Sequence, residues 1–385
     1  MINVLAIGLD YLMLKKDSVR GDVRERQIDY AKHLNSFHQV VYSPKSLGLK
    51  NENWAENLKI YPTNSLNKIS FIIDAYKICS SICRKNKIDA ITVEDPFTTG
   101  LVGYLLKREF GIPLNVQAHI DFCDNKYWMK LRPVNTLFNA LGKFICKRAD
   151  TIRVVASETK EKLEKYGISP EKIALISVHS DLRRFNFVDG SGIKQIYLDK
   201  GFKNILLFVG RLVDQKDIPN LFLAFKIILR DKPETLLLIA GKGPKEEFLK
   251  NLAKKMGIER NIIFTGAIEH SLIPQYYAAC DVFVLPSIFE GRATVIVEAI
   301  LSKKPIVSTD VSGLREWVIN GETGFVVKRK DPRAFAEKTL YLLNNPDLIK
   351  EFGQKGYSYA QSKVNEIEDI TSMIKLWERT ALTVK

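Results

Sequence analysis

The feature that most constrains the fold is an alternation of short apolar runs, rich in β-branched residues, with amphipathic helical stretches. Six such runs occur in the first half: "INVLAIG", "QVVYS", "AITVED", "PLNVQAH", "TIRVVAS" and "IALISV". Six more occur in the second half: "NILLFVG", "TLLLIAG", "NIIFTG", "VFVLP", "PIVST" and "GFVV". Because strands that alternate with helices are joined by crossover connections, this order predicts α/β architecture with parallel sheets covered by helices.

The chain has 385 residues, which is longer than a single hydrophobic core usually grows, so two domains are expected. The glycine-bearing stretch 188–201 interrupts the pattern and is predicted to be the linker. We therefore expect one Rossmann-like domain over 1–187 and a second over 202–355. Residues 356–385 are expected to form terminal helices that cross back to the first domain. Two such sheets imply a cleft with ligands at the carboxyl ends of the strands.

The formal net charge of +14 calls for a physical reason, and basic groups such as "RGDVRER", "KYWMKLR", "KFICKRAD" and "LRRF" all lie in the first half. An excess of this size is typical of proteins with polyanionic partners, although a plain solvated surface would also explain it. No nucleic-acid partner is expected, because no RRM, KH or helix-turn-helix signature is visible and the basic residues are not interleaved with aromatics in one tract. A basic nucleotide or nucleic-acid binder without catalysis remains an alternative.

The stretch "KYWMKLRPVNTLF" mixes cations with large apolar side chains: Tyr127, Trp128, Leu131 and Phe138. This mixture predicts contact with an anionic membrane surface. The first residues are typical of a strand rather than of a signal peptide, and no apolar run approaches the roughly 20 residues that span a bilayer. The five scattered cysteines suggest neither a disulfide framework nor a zinc site. The expected location is the cytoplasm, with possible peripheral association at the inner face of the membrane.

Two strand–loop–helix units of the second half could hold a phosphate. In "FVGRLVDQKDIPNLFLAF" the strand ends at Gly210, and the loop carries Arg211 and Lys216. A guanidinium and an ammonium in one loop match the anionic oxygens of a diphosphate, although two basic loop residues are often simply solvated. A Walker A motif is absent, and "GKGPKEE" has Glu246 where a nicotinamide-binding motif needs a third glycine. A standard NTPase or dehydrogenase is therefore disfavoured.

The second unit is "EGRATVIVEAI", residues 290–300. Gly291 would let a ligand approach the backbone, and a helix that begins near Ala293 or Thr294 would offer unpaired amides to a phosphate. Glu298 lies one turn inside that helix among apolar residues. A carboxylate at that depth suits the vicinal hydroxyls of a ribose, as in dinucleotide-binding folds. The alternative is an ion pair with a lysine at the edge of the core.

These motifs together resemble the nucleotide-sugar domain of the family-4 retaining glycosyltransferases. The matching segments are "VGRLVDQKDIPNL", "LLIAGKGP", "NIIFTGAI", "YYAACDVFVLPSIFEGRATVIVEAI", "PIVSTDVSGLREWVINGETGFVV" and "DPRAFAEKTLYLL". They cover roughly residues 205–342. The first half is similar more loosely, through "NVQAHIDF", "KRADTIRVVASETKEKL" and the "RF" at 184–185. The resemblance implies a GT-B fold, with two Rossmann-like parallel-sheet domains that face a central cleft, the first on the acceptor side.

The resemblance also implies roles for individual residues. Arg211 and Lys216 would hold the donor diphosphate, and Glu298 would bind the ribose. Glu290 would contact the transferred sugar, and His119, at the end of a first-domain strand, would contact it from the other side. A lone histidine can equally be structural. The other implied donor-binding positions are Gly210, Gly291, Arg292, Ala293 and Thr294, with Gly266 and Ile268 near the base.

The implied reaction is retaining transfer of a sugar from a nucleoside diphosphate to a hydroxyl acceptor, in polysaccharide, glycolipid or lipid-linked glycan synthesis. No metal is expected, because the cations can stabilise the leaving diphosphate and no convincing Asp-x-Asp motif follows a strand. No cofactor is expected, since the nucleotide sugar is a substrate. The alternatives within this fold are a nucleotide-sugar epimerase or hydrolase, and a phosphorylase.

Some positions depart from the common family pattern. Asp217 replaces a glycine, Arg292 a frequent aromatic, and Ala293 a frequent glycine or proline, so the resemblance does not indicate the donor sugar. The glycine-rich loop that commonly borders the acceptor is represented only by "SVRGDVRER", in which Gly21 is the sole glycine. The acceptor is therefore not indicated either.

Overall fold

The computed structural model divides into two compact units, Met1–Ser180 with Ile367–Lys385, and Asp181–Glu366. It describes residues 1–14, 23–176, 182–186, 188–269, 271–291, 294–367 and 370–383. The stretch 188–201, predicted to be a linker, instead contains the helix Ser191–Leu198, which packs on another helix of the second unit.

In the part of the chain described, the first unit has an eight-stranded sheet of order β3-β4-β2-β1-β5-β6-β7-β8. Its strands are β1 Asn3–Gly8, β2 Ser36–Val41, β3 Glu52–Ala55, β4 Leu58–Pro62, β5 Ala90–Val93, β6 Leu114–Ala118, β7 Thr151–Val154 and β8 Ile173–Leu175. Its helices are α1 Val23–Ala31, α2 Ser70–Lys85, α3 Thr98–Phe110, α4 Lys126–Leu131, α5 Val134–Arg148, α6 Ser157–Lys165 and α14 Ile370–Ala381. All neighbouring pairs are parallel except β3 and β4.

The second unit, over its described residues, has a six-stranded parallel sheet of order β11-β10-β9-β12-β13-β14. Its strands are β9 Asn204–Val209, β10 Thr235–Ala240, β11 Ile262–Gly266, β12 Val282–Leu285, β13 Ile306–Thr309 and β14 Gly324–Val327. Its helices are α7 Ser191–Leu198, α8 Ile218–Asp231, α9 Glu246–Met256, α10 Ile273–Ala279, α11 Thr294–Leu301, α12 Pro332–Leu343 and α13 Pro346–Ile367. Central strands such as β10 are buried along their whole length, as expected where helices cover both faces of a parallel sheet.

The last helix, α14, belongs to the core of the first unit. Its Trp377 is buried and packs edge-on against Tyr30 of α1, with ring centroids 5.1 Å apart, and lies 5.8 Å from the ring of Phe37 on β2. Residues 356–366 stay with the second unit, so the chain joins the first unit later than predicted. Within the described ranges, none of the helices combines the length and apolar character that a bilayer crossing needs.

Candidate active site

The carboxyl ends of four neighbouring strands meet in the second unit. Beyond β9 and β10 the pairing continues, because the Gly210 amide donates to the Ala240 carbonyl at 2.9 Å and the Gly241 amide donates to the Gly266 carbonyl at 2.8 Å. Gly241 has φ +145°, and a Cβ there would lie 1.9 Å from the Gly210 carbonyl oxygen. Only glycine fits this close approach. Two of the predicted donor-binding positions, Gly210 and Gly266, are thereby held at one edge of the sheet.

A buried ion pair lies where β9 and β12 run side by side. Lys216 follows β9 and Glu290 follows β12, and the Lys216 ammonium lies 2.5 Å from Glu290 Oε1. The two side chains are only 10% and 6% exposed. Two charges this far from water must be paired with each other, because an unpaired ion at such a depth lowers the stability of the fold by several kcal/mol or more. The structure thus brings together two residues predicted to be catalytic.

Gln215 connects the two loops that carry this pair, and no sequence motif singles it out. Its backbone carbonyl accepts from the Ile288 amide at 2.9 Å. Its side-chain Nε2 donates to the Phe289 carbonyl at 2.9 Å and lies 3.4 Å from Glu290 Oε2. Gln215 therefore positions Glu290 rather than simply adjoining it. Only the spatial adjacency of the two loops reveals this role.

Asp217, the departure from the family glycine, adopts the left-handed conformation with φ +43° between Lys216 and α8. Residues other than glycine are strained in the left-handed backbone conformation, which explains why glycine suits the position. Burial raises the pKa of the Asp217 carboxyl, and the positive charge of Lys330 partly opposes the shift.

We expect Asp217→Gly to raise the free energy of unfolding by about 1 kcal/mol, because it relieves the backbone strain and removes a partly buried carboxylate. Urea unfolding measures the change. Asp217→Asn serves as the control, since it removes the charge but keeps a side chain. If the glycine variant gains no more than the asparagine variant, the backbone at this position is not strained.

Glu298 lies on α11 and is half-buried, with a buried tyrosine beside it. The hydroxyl of Tyr277, on α10, donates to Glu298 Oε2 at 2.8 Å. Tyr277 is fully buried, and burial together with the neighbouring Glu298 charge raises its pKa well above the ordinary value.

The other predicted donor-binding residues have varied surroundings. The Arg211 side chain is exposed in the loop after β9, and Gly291 precedes the helix that begins at Thr294, as predicted. Ile268 follows β11 and packs partly against the hydrophobic core. Arg292 and Ala293 lie outside the described residues, as does Gly21 with the rest of 15–22.

His119 follows β6 in the first unit. Burial and the positive charges of Arg153 and Arg26 lower its pKa to about 3. The imidazole is therefore neutral at physiological pH and can exchange hydrogen bonds with a ligand but cannot supply a positive charge.

The sheet face beside His119 is unusually polar for a parallel sheet. Hydrogen-bonded side chains cross β7, β6 and β5 and reach α14, in the order Arg153, Gln117, Thr92, Asn115, Thr151 and Thr380. Burying polar groups costs free energy unless their hydrogen bonds are made, and this chain of bonds meets that requirement.

Glu94, at the end of β5, adjoins this polar face. Its Oε2 accepts from the Leu9 amide at 2.9 Å. Burial raises the pKa of the carboxyl to about 7, against the opposing effects of that hydrogen bond and of Arg26. Because the folded protein then holds the proton more tightly than the unfolded chain, Glu94 weakens the fold as the pH rises through about 7.

We expect Glu94→Gln to stabilise the protein on the order of 2 kcal/mol at pH 8 to 9, and to change little at pH 5, where the folded carboxyl is already neutral. Urea unfolding across this pH range measures the difference. Glu25→Gln, on the exposed surface of α1, is the matched control and should show no such trend. A gain that does not vary with pH would mean that Glu94 does not titrate as described.

Comparison with known proteins agrees with this geometry. Residues 192–359 match the model of the glycosyl transferases group 1, and residues 28–184 match that of glycosyltransferase family 4. A protein named uncharacterized glycosyltransferase MJ1178, from Methanocaldococcus jannaschii, is 29% identical over 330 residues, which are 84% of this chain and 85% of that protein.

Solved structures share the fold. Sucrose-phosphate synthase from Thermosynechococcus elongatus has a TM-score of 0.80 at 19% identity, with 98% of both chains covered. Anabaena HepE, solved in complex with UDP and glucose, has a TM-score of 0.75 at 17% identity, with 99% of both chains covered.

The two parallel-sheet units and the residues at their strand ends define a GT-B glycosyltransferase, an enzyme that transfers sugars from nucleotide donors. The chain is a glycosyltransferase whose first half matches the family 4 model and whose second half matches the group 1 model.

Proposed function

We propose that the enzyme transfers a sugar from a nucleoside diphosphate to a hydroxyl of a glycan or lipid-linked acceptor, with retention at the anomeric carbon and without a metal. The observation that carries the proposal is the Lys216–Glu290 pair at the edge of the second sheet. In this proposal the ammonium would stabilise the negative charge that develops on the leaving diphosphate, and the carboxylate would stabilise the positive charge of an oxocarbenium-like carbon. UDP is the first nucleotide to test, because it is bound in the solved structure of HepE.

Glu298 has a different role in this proposal. Tyr277 donates to one of its oxygens, and the ribose hydroxyls of a bound donor would donate to the same carboxylate. Arg211, exposed in the loop after β9, would close on the diphosphate with its planar guanidinium.

The test is a panel of UDP- and GDP-sugars with simple glycoside acceptors, with the product anomer identified by NMR. We expect the anomeric configuration of the donor in the product, at a rate that EDTA does not change. Inversion would contradict the retaining mechanism. Loss of activity in EDTA, restored by Mg²⁺ or Mn²⁺, would contradict metal independence. Release of free sugar in place of transfer would favour the hydrolase or epimerase alternative.

We also propose that the acceptor is reached at an anionic membrane surface. The structure changes which residues would make this contact. Trp128 and Phe138 stack on Phe97 inside the first unit, with ring centroids 5.4 and 5.3 Å apart. Tyr127 and Leu131, from the predicted set, are exposed on α4, and Val134, Leu137 and Phe144 are exposed on α5.

The same stretch of chain carries six cations: Lys126, Lys130, Arg132, Lys143, Lys147 and Arg148. An exposed apolar patch within a basic surface is typical of proteins that lie on anionic lipid. We expect sedimentation with vesicles that contain an anionic lipid and weaker sedimentation with neutral vesicles. Leu131→Ser/Leu137→Ser should reduce it, while the control Ile196→Ser/Leu223→Ser, on exposed positions of the second unit, should not. Equal binding to both kinds of vesicle would contradict the proposal.

A further inference from the structure

The first unit contains a cavity of about 50 Å³ between the polar face of its sheet and the helices α1 and α14. The strand register explains the space. Ala6 on β1 lies level with Gln39 on β2 and with Thr92 on β5, so a single methyl group stands between two longer side chains. A space of this size holds a few water molecules or one small polar group.

The cavity wall is rich in hydrogen-bond donors. Gln39 is 2% exposed, and its Nε2 has no hydrogen-bond partner among the described residues. Arg153 is 4% exposed, and it donates to the Ile176 carbonyl at 3.0 Å and to Gln117 Oε1 at 2.8 Å. Arg26, on α1, adds a second guanidinium to the lining. A buried amide without a partner destabilises the fold, so it indicates a ligand or ordered water in that position.

The charges of the cavity favour an anion. Two guanidiniums line it, and the neighbouring His119 is neutral at physiological pH. Glu94 supplies the single carboxyl of the lining, and its pKa of about 7 leaves it partly protonated near neutrality. The net charge is therefore positive, and planar guanidiniums with an amide donor match the oxygens of a carboxylate or phosphate.

We propose that this cavity binds a small oxyanion, a carboxylate or a phosphate group. If the proposed transferase function holds, the oxyanion belongs to the acceptor, because the cavity reaches His119 at the end of β6. The substrate class is then an acceptor with an acidic group, such as a sugar phosphate or a uronic acid.

The test is titration of the whole protein with inorganic phosphate and, separately, with acetate, at constant ionic strength, followed by thermal unfolding. Chloride at the same ionic strength is the reference. We expect at least one of the two anions to stabilise the wild-type protein saturably. Gln39→Glu, which places a negative charge in the cavity, should weaken that binding at least roughly tenfold. Gln354→Glu, the same change on the exposed surface of α13, should leave it unaltered.

Two further variants test the proposal if Gln39→Glu does not fold or if phosphate also binds to the second unit. If Gln39→Glu does not fold, Gln39→Met removes the donor without adding a charge and should still weaken binding several-fold. Arg211→Met removes a cation from the proposed donor site of the second unit, and in this background Gln39→Met should still weaken the binding of phosphate. No saturable stabilisation by either anion, equal binding by the Gln39 and Gln354 variants, or a loss confined to Arg211→Met would overturn the proposal. Because neither donor nor acceptor is present, a failure of sugar transfer leaves this result unaffected, and the two proposals are tested separately.

Discussion

Replacement of Lys216 by methionine is expected to lower kcat by about two to three orders of magnitude, with a folded protein and a smaller change in KM. The ammonium lies in a buried position at the edge of the second sheet, where it would stabilise the charge of the departing diphosphate. Preorganised cations in such positions act mainly on the transition state, so their loss is seen in turnover. The measurement is the initial rate of nucleoside diphosphate release at saturating donor.

Lys226→Met, on the exposed side of α8, is the matched control and should keep the wild-type rate. Lys216→Arg should retain part of the activity, because it preserves the charge but changes its position. A Lys216→Met variant that folds and turns over at the wild-type rate would remove Lys216 from the catalytic machinery.

The second large effect concerns stability. Lys216→Met and Glu290→Gln each break the buried ion pair. The lysine variant should lose about 3 to 5 kcal/mol of unfolding free energy, because the Glu290 carboxylate stays buried without its cation. The double variant Lys216→Met/Glu290→Gln should be more stable than the lysine variant, since no charge then remains. Urea unfolding of the four proteins gives the coupling energy of the pair.

The same cycle on the surface pair Lys32–Asp29 provides the comparison. Those side chains are 66% and 36% exposed with a separation of 2.6 Å, so their coupling should lie below about 1 kcal/mol. If the unfolding free energies lost in the two single variants add up to the loss in the double variant, the two charges do not depend on each other. The description of the site as a matched buried pair would then be wrong.

Much of the fold could be predicted because it follows from local patterns. The twelve apolar runs selected from the sequence correspond to β1, β2 and β5–β14. The hairpin of β3 and β4 was missed for a physical reason. β3 lies at the sheet edge with Glu52 and Asn53 exposed, so its sequence "ENWA" lacks the apolar run that identifies buried strands.

The candidate site was only partly predictable. Gly210, Lys216, Glu290 and Glu298 stand out because strand–loop–helix patterns place them at strand ends or helix starts. Their partners could not be read in this way. Lys216 meets Glu290 across 74 positions because β9 and β12 are neighbours, and this order depends on the crossovers of the whole sheet. Tyr277 reaches Glu298 from another helix, with no local periodicity linking them.

No single residue of the sequence indicates the polar cavity of the first unit either. Gln39, Thr92 and Arg153 stand on three different strands, and each alone resembles an ordinary polar residue in a sheet. Only the register of five parallel strands collects them on one face beside Ala6.

The most direct test of the donor site compares UDP with 2′-deoxy-UDP in calorimetric titrations of the wild-type protein and of Glu298→Ala. We expect the wild type to bind UDP roughly tenfold or more tightly than the deoxy analogue, because a hydrogen bond to a charged carboxylate is lost. We expect Glu298→Ala to bind both weakly and equally. A Glu298→Ala protein that keeps the wild-type preference for the ribose hydroxyl would contradict the assignment of this half-buried acid to the nucleotide.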